Sequence, residues 1–223
     1  MLAALVARND ADIVGFTVLH LIAQGARVVV WDNLSTDFTR PVLDGIAMAL
    51  REEGRGPALV IEKDPDPAHR HGEKMTALVT RHAEVDEWVL PVDADELWTG
   101  IDKLDALDAV ASFAHPFVHV PTHHDQLSEQ NPYLRSHYRR PAGEKMSKVA
   151  FRYQPGVTVQ MGNHAIDGLR GATDGSTLDI RHFQWRTFGQ LAEKVQRTAV
   201  ALDAAGLPAG YGAHIRRLAA LDT

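Results

Sequence analysis

The first hundred residues alternate between two hydrophobic periods, and that alternation limits the fold more than any other feature. Residues 2–6 form a short apolar run suited to a strand buried on both faces. Residues 12–24 carry Ile13, Phe16, Val18, Leu19 and Ile22 at near-helical spacing, and Gly25 stands where a helix should end. The β-branched stretch 27–31 predicts a second strand, followed by a loop of turn formers at 32–37. A helix over 41–53, with proline at its start and Gly54 after its end, leads to a third strand at 58–62. A further helix over 72–82 and a strand over 87–92 complete the series. Strand and helix in strict turn predict an α/β fold with a mostly parallel sheet flanked by helices. Ligands of such sheets bind beyond the carboxyl ends of the strands. The polar clusters 8–10, 32–37 and 93–96 all fall there.

The second half is less regular. Residues 109–120, 148–153, 157–161 and 178–183 read as strands with some antiparallel pairing, and 187–205 and 211–221 as helices. The polar, proline-bounded stretch 122–142 predicts a long loop. The 223 residues suit one domain, with residues 1–98 as a nucleotide-binding half and 99–223 as an acceptor-side half.

Composition narrows the chemistry. With no cysteine, disulfides, thiolate nucleophiles and cysteine-ligated metals are excluded. The 23 basic and 29 acidic residues give a net charge of −6, which disfavours a nucleic-acid partner. No apolar run approaches the roughly 18–20 residues of a membrane helix, and the start lacks a basic leader segment, so the expectation is a cytoplasmic protein.

Asp93 and Asp95 are separated by one residue just past a strand, so both can turn toward one cation. Mg²⁺ and Mn²⁺ prefer such oxygen ligands and accept phosphate oxygens beside them. Asp32, after the second strand, is placed to accept hydrogen bonds from a ribose or base. A dehydrogenase shares that feature, but it needs a glycine-rich turn after the first strand, and residues 7–11 read Ala-Arg-Asn-Asp-Ala. Among the 12 histidines, His69 with His71 and His123 with His124 lack zinc-site spacing and read as loop residues. Trp31 and Trp88 read as core; Trp98 and Trp185 are open between core and sugar-facing platforms.

Five segments together resemble a family 2-like glycosyltransferase of the GT-A fold. They are Ala7-Arg8-Asn9-Asp10 with His20 and Gly25, then residues 31–37, then 88–97, then Gly162-Asn163-His164, and finally 180–187 with Lys194. Asp10, Leu97 and Thr187 depart from residues usual in the branch (glutamate, an aromatic and serine). The resemblance implies a nucleotide-sugar donor, a hydroxyl acceptor such as a carbohydrate, Mn²⁺ or Mg²⁺, and transfer with inversion. It places Arg8 and Asn9 beside the nucleotide, Asp32 on base or ribose, Asp93 near ribose and metal, and Asp95 as the principal metal-side carboxylate. Arg186 and Lys194 would neutralise the diphosphate. His182 would complete the metal shell and His164 would face the acceptor. An inverting transfer also needs a general base, for which His164, Asp167, Asp125 and Glu129 stay open. The competing expectations are a nucleotidyltransferase that makes nucleotide sugars and a non-catalytic nucleotide- or carbohydrate-binding subunit.

Overall fold

The computed structural model describes residues 1–68, 70–126, 128–141, 143, 146–204 and 213–220. The first half follows the predicted alternation: β1 (Leu2–Ala7), α1 (Val14–Ala23), β2 (Arg27–Asp32), α2 (Thr39–Glu52), β3 (Leu59–Lys63), α3 (His71–His82) and β4 (Trp88–Val92). The second half adds β5 (Glu96–Thr99), β6 (Ala111–Val118), α4 (Pro132–Arg135), β7 (Lys148–Arg152), β8 (Thr158–Val159), β9 (Ile166–Asp167), β10 (Thr173–His182), α5 (Phe188–Ala204) and α6 (Ala213–Ala219).

Strands from both halves join one eight-stranded sheet in the order β3-β2-β1-β4-β7-β6-β10-β5. β1, β2, β3 and β4 pair in parallel, as do β6 and β10, while β7 runs antiparallel to both β4 and β6. The sheet is mostly parallel and flanked by helices, as the order of strand and helix signals predicts. Alternation along β1 explains its position near the centre. Ala3, Leu5 and Ala7 pack with Val18, Leu21, Leu43 and Leu50 of α1 and α2, whereas Leu2 and Ala4 pack with Met75 and Leu78 of α3. Both faces are therefore dry.

Three elements differ from the sequence reading. Residues 96–99, to which the sequence reading gives no element, form an edge strand antiparallel to β10, with Ile180 opposite Trp98. The run is too short and too mixed for its period to show; burial of Leu97 and Trp98 makes it a strand. The strand expected over 157–161 stops at Val159, where a 3-10 turn over Met161–Asn163 begins, and β8 pairs instead with β9. The loop over 122–142 contains the single helical turn of α4, capped by the Asn131 side chain.

One close approach matters for the site. α3 lies against the β8 end so tightly that a Cβ on Gly72 would stand 2.8 Å from the Val159 carbonyl oxygen and 3.0 Å from the Met161 nitrogen. Thr76 ties the same seam by accepting from the Val159 amide at 2.9 Å. Gly72→Ala should therefore lower stability by about 1–3 kcal/mol through overpacking. Gly45→Ala, within α2 and with nothing within 4 Å of the new Cβ, should gain up to about 1 kcal/mol. Urea midpoints of the two variants check the contrast, and equal shifts would contradict it.

Candidate active site

The carboxyl ends of β1, β4 and β10 and the start of α3 surround a cleft of about 330 Å³. Asp10, His71, Asp93, Asp95, His182 and Gln184 line it, with Val6, Ala94, Met161 and Gly162 completing the wall.

The two loops after β1 and β2 are stitched together beside it. Asn9, in the left-handed region at φ 57°, donates its amide to Ser35 Oγ at 3.1 Å and accepts from the Thr36 amide at 2.8 Å. Asp32 accepts from the Ser35 amide at 3.2 Å, and the Asp10 amide donates to Thr39 Oγ1 at 2.8 Å. Asn9 and Asp32 thus shape the loops, while Arg8 is exposed at their rim.

After β4, the Asp-Ala-Asp turn is held by residues from distant parts of the chain. Lys148, almost wholly buried at the start of β7, places its Nζ 2.6 Å from Asp93 and 3.0 Å from Glu96, which is fully buried. Glu96 accepts from the Asp93 amide at 3.1 Å and from Trp98 Nε1 at 3.0 Å. His71 Nε2 lies 3.4 Å from Asp93 and Asn163 Nδ2 donates to it at 3.2 Å. Burial acts to raise the Asp93 carboxyl, but Lys148 and then His71 reverse this and hold it well below the ordinary range. Burial pushes the Glu96 carboxyl up. Asp95 sits 3.5 Å from His182 Nε2 and 3.7 Å from Arg186. Behind the turn, Thr17 Oγ1 donates to the Ala94 carbonyl at 2.6 Å and meets the Tyr133 hydroxyl at 2.5 Å, joining α1, the acid turn and α4.

A second salt-bridged group adjoins the first. Arg186, 7% exposed, grips Asp12 with Nε at 2.7 Å and Nη2 at 2.8 Å, and its Nη2 also donates to Asp10 at 3.3 Å. Gln190 donates to the same Asp12 carboxylate at 2.7 Å. Burial acts to raise the Asp12 pKa, but the Arg186 hydrogen bonds and charge prevail and lower it.

The structure brings Asp93, Asp95 and His182 to the cleft, with Asn9 and Asp32 in the loops beside it. Three further site residues are engaged with other parts of the chain. Arg186 has its fork on Asp12 and reaches Asp10 and Asp95 at the cleft, so it holds the acidic loops together. His164 turns its Nδ1 to the Ser147 carbonyl at 2.9 Å and packs under Gly162, where a Cβ would stand 2.8 Å from its Nε2. Asp167 is exposed on β9 and accepts from the Gln160 amide. Of the other general-base expectations, Asp125 accepts from the Thr122 hydroxyl at 2.9 Å and Glu129 from the Asn131 amide at 2.8 Å, both within their own loop. Trp98 is buried in the core and is no sugar platform. The side chain of Lys194 and the whole of His69 lie outside the described residues.

Sequence reasoning missed Lys148, His71, Asp12 and Asn163. His71 was read as a loop residue, yet it begins α3 and lines the cleft beside Asp93. Asn163 follows Gly162 at φ 77° and is itself at φ 61°. That left-handed pair, open to glycine and tolerable for asparagine, swings the buried amide onto Asp93. Lys148 looked like the first residue of a strand, and nothing local marks its partners 55 and 52 positions away.

The resemblance noted in the sequence implies a divalent cation here. Among the described residues no three His, Asp or Glu side chains stand together as a ready-made metal cage, so Asp93, Asp95 and His182 are not preassembled as one. Two carboxylates opening on one cleft still suit Mg²⁺ or Mn²⁺, which take one or two carboxylates and complete their shell with water and phosphate. The residues fit a cation that arrives with a diphosphate.

No protein-family model matches the chain, and no curated protein matches it. Among solved structures, it is similar to the crystal structure of S. aureus TarS 1-349, with a TM-score of 0.49 and 14% identity over 98% of this chain and 69% of that one. No described helix is long and apolar enough to cross a membrane.

Removing the Lys148 ammonium strands two carboxylates, one fully buried. Lys148→Met should cost about 3–5 kcal/mol in urea unfolding, and adding Glu96→Gln should recover part of that. A double variant no better than the single one would show that the ammonium acts mainly on Asp93.

Asp12 gives a pH signature. Its folded pKa lies below the ordinary 3.8, so its stabilising contribution is complete above that value and fades as the pH falls through the lower folded value. The stability gap between wild type and Asp12→Asn should stay level from about pH 7 to about pH 5 and narrow below about pH 3.8. A gap that widens toward acid would refute the pairing.

Proposed function

We propose that the chain is a metal-assisted, inverting glycosyltransferase that moves a sugar from a nucleoside-diphosphate donor to a hydroxyl acceptor. The observation that carries this reading is the pair Asp93 and Asp95, opening on an acid-rich cleft at the carboxyl ends of the parallel strands. The stitched loops after β1 and β2 offer Arg8, Asn9 and Asp32 to the nucleotide. Asp93 and Asp95 would hold Mn²⁺ or Mg²⁺, which when bound offsets the negative charge that builds on a leaving diphosphate.

The chain's own groups do the rest. In an inverting transfer the acceptor oxygen attacks the anomeric carbon on the face opposite the diphosphate. One C–O bond forms as the other breaks, and the hydroxyl proton must leave. Of the two imidazoles lining the cleft, His71 and His182, we assign His182 to take that proton, because Asp95 lies 3.5 Å from its Nε2 and would steady the charge it gains. Arg186 and Lys148 act through the carboxylates they hold. A nucleotidyltransferase would want a glycine-rich basic loop after β1, which residues 7–11 do not supply.

Two measurements test this. A nucleoside diphosphate with Mn²⁺, at about 100 times its Kd, should stabilise the fold by roughly 2.7 kcal/mol and lose that effect in EDTA. Asp95→Asn should slow release of nucleoside diphosphate from the best donor by on the order of 10²-fold. No thermal shift with any nucleoside diphosphate would sink the donor site. Binding without turnover of any donor sugar would favour the non-catalytic subunit.

A further inference from the structure

The turn from Asp93 to Asp95 presents three peptide carbonyls, and each has a donor. The Asp93 carbonyl accepts from the Glu96 amide at 3.1 Å and the Asp95 carbonyl from the Phe183 amide at 2.9 Å. Those two bonds run from backbone to backbone. The Ala94 carbonyl between them is held by side chains: Thr17 Oγ1 of α1 lies 2.6 Å from it, and the Tyr133 hydroxyl of α4 lies 2.5 Å from Thr17 Oγ1. A carbonyl can only accept, so Thr17 gives its one hydrogen to Ala94, and Tyr133 must give its own to Thr17. Burial pushes the Tyr133 hydroxyl well above its ordinary pKa, which keeps that hydrogen in place.

Packing alone does not call for that hydroxyl. Tyr133 is buried among Ile13, Leu97 and Phe183, with its ring edge-on to Phe183 at 4.8 Å. A phenylalanine would fill the same space without taking a hydroxyl out of water. α4 is one turn of four residues, too short to hold its shape alone. It is docked by the Asn131 side chain on the Tyr133 amide at 3.0 Å, by Arg181 Nη2 on the Tyr133 carbonyl at 2.9 Å and by Arg135 Nη2 on the Arg186 carbonyl at 3.3 Å. α4 is thus fastened to the segment 181–186, which carries His182 and Gln184 into the cleft, while its hydroxyl reaches the acid turn through Thr17.

A hydroxyl that accepts one hydrogen bond donates the next more strongly, so the two links reinforce each other in this dry setting. We propose that Tyr133 is a positioning residue for the cation site: through Thr17 its hydroxyl fixes the peptide that joins Ala94 to Asp95, and with it the angle at which Asp95 opens on the cleft beside Asp93. Tyr133 is not among the residues that line the cleft, so it acts only through the turn. The proposal rests on the reading of Asp93 and Asp95 as the groups that hold the cation; the hydrogen-bonded chain behind them stands without it.

Mn²⁺ binding, followed by water-proton relaxation, reads the site without relying on turnover. Mn²⁺ is titrated beside whichever of the uridine, cytidine, guanosine, adenosine and thymidine diphosphates raises the wild-type melting temperature most. Tyr133→Phe should raise the Mn²⁺ concentration at half-saturation about three- to tenfold, the worth of one hydrogen bond. Thr17→Val, which removes both links, should raise it at least as much, and Thr17→Ser, which keeps the hydroxyl, should stay within about twofold of wild type. Leu50→Ala, in the last turn of α2, is the control for a purely structural loss: it should lower stability more than Tyr133→Phe and leave Mn²⁺ half-saturation unchanged. In the metal-free protein, exchange of the Glu96 and Phe183 amides should quicken in Tyr133→Phe while the amides of β1 and β2 stay level. Unchanged half-saturation in Tyr133→Phe, or an equal rise in Leu50→Ala, overturns the positioning role while the cation site stands. Wild type that takes up no Mn²⁺ with any of the five diphosphates defeats the cation reading itself, and Tyr133 is then a structural strut whatever its effect on exchange.

Discussion

A single buried ammonium makes the acidic turn possible. Lys148 brings positive charge between Asp93 and Glu96, in a place where burial penalises every charge. Burial acts to lower its proton affinity, but the two carboxylates outweigh that and keep it charged. Asp93 can then remain ionised at the mouth of the cleft, and Glu96 can accept from the Asp93 amide and from Trp98 and fix the turn between them. Arg186 does the same for Asp12 and Asp10. The cleft is a balance of paired charges with acid in excess, which is the condition for drawing in a cation without collapsing in its absence.

The parts of this design that were legible in the sequence share one property: their signal is local. The parallel strands from Leu2 to Val92 announce themselves by continuous apolar runs, and the helices between them by spacing and by glycine after the last turn. From that order alone the carboxyl ends could be located, and with them Asp10, Asp32, Asp93 and Asp95. What stayed hidden is set by tertiary contact. β5 is four residues long and owes its conformation to the edge of β10. Lys148, Asp12 and His71 become site residues only when the sheet closes. Arg186 was visible as a cation but not as a committed one, since its partner lies 174 positions earlier.

The histidines show the same limit from the other side. His164 carried a motif-like setting, yet the left-handed turn at Gly162 and Asn163 spends it on a backbone carbonyl and delivers the neighbouring amide to Asp93 instead. Spacing could mark the segment; only backbone conformation decides which of three adjacent side chains faces the cleft.

The reach of these ion pairs also bears on how the chain is made. A ribosome releases the turn at 93–96 well before Lys148 emerges, and before Arg186 as well. During that interval the acid turn lacks both Lys148 and Arg186, with only His71 beside Asp93, and β4 lacks its neighbour β7 on that side of the sheet. Contacts of such long sequence separation form late and slowly. The α1–α2 layer around β1 and β2 can consolidate early on its own apolar faces, whereas the cleft is the last region to acquire its shape. A nascent or truncated chain ending before β7 would carry an assembled sheet edge and a cluster of mutually repelling carboxylates, a species suited to capture by a chaperone and unsuited to binding a nucleotide.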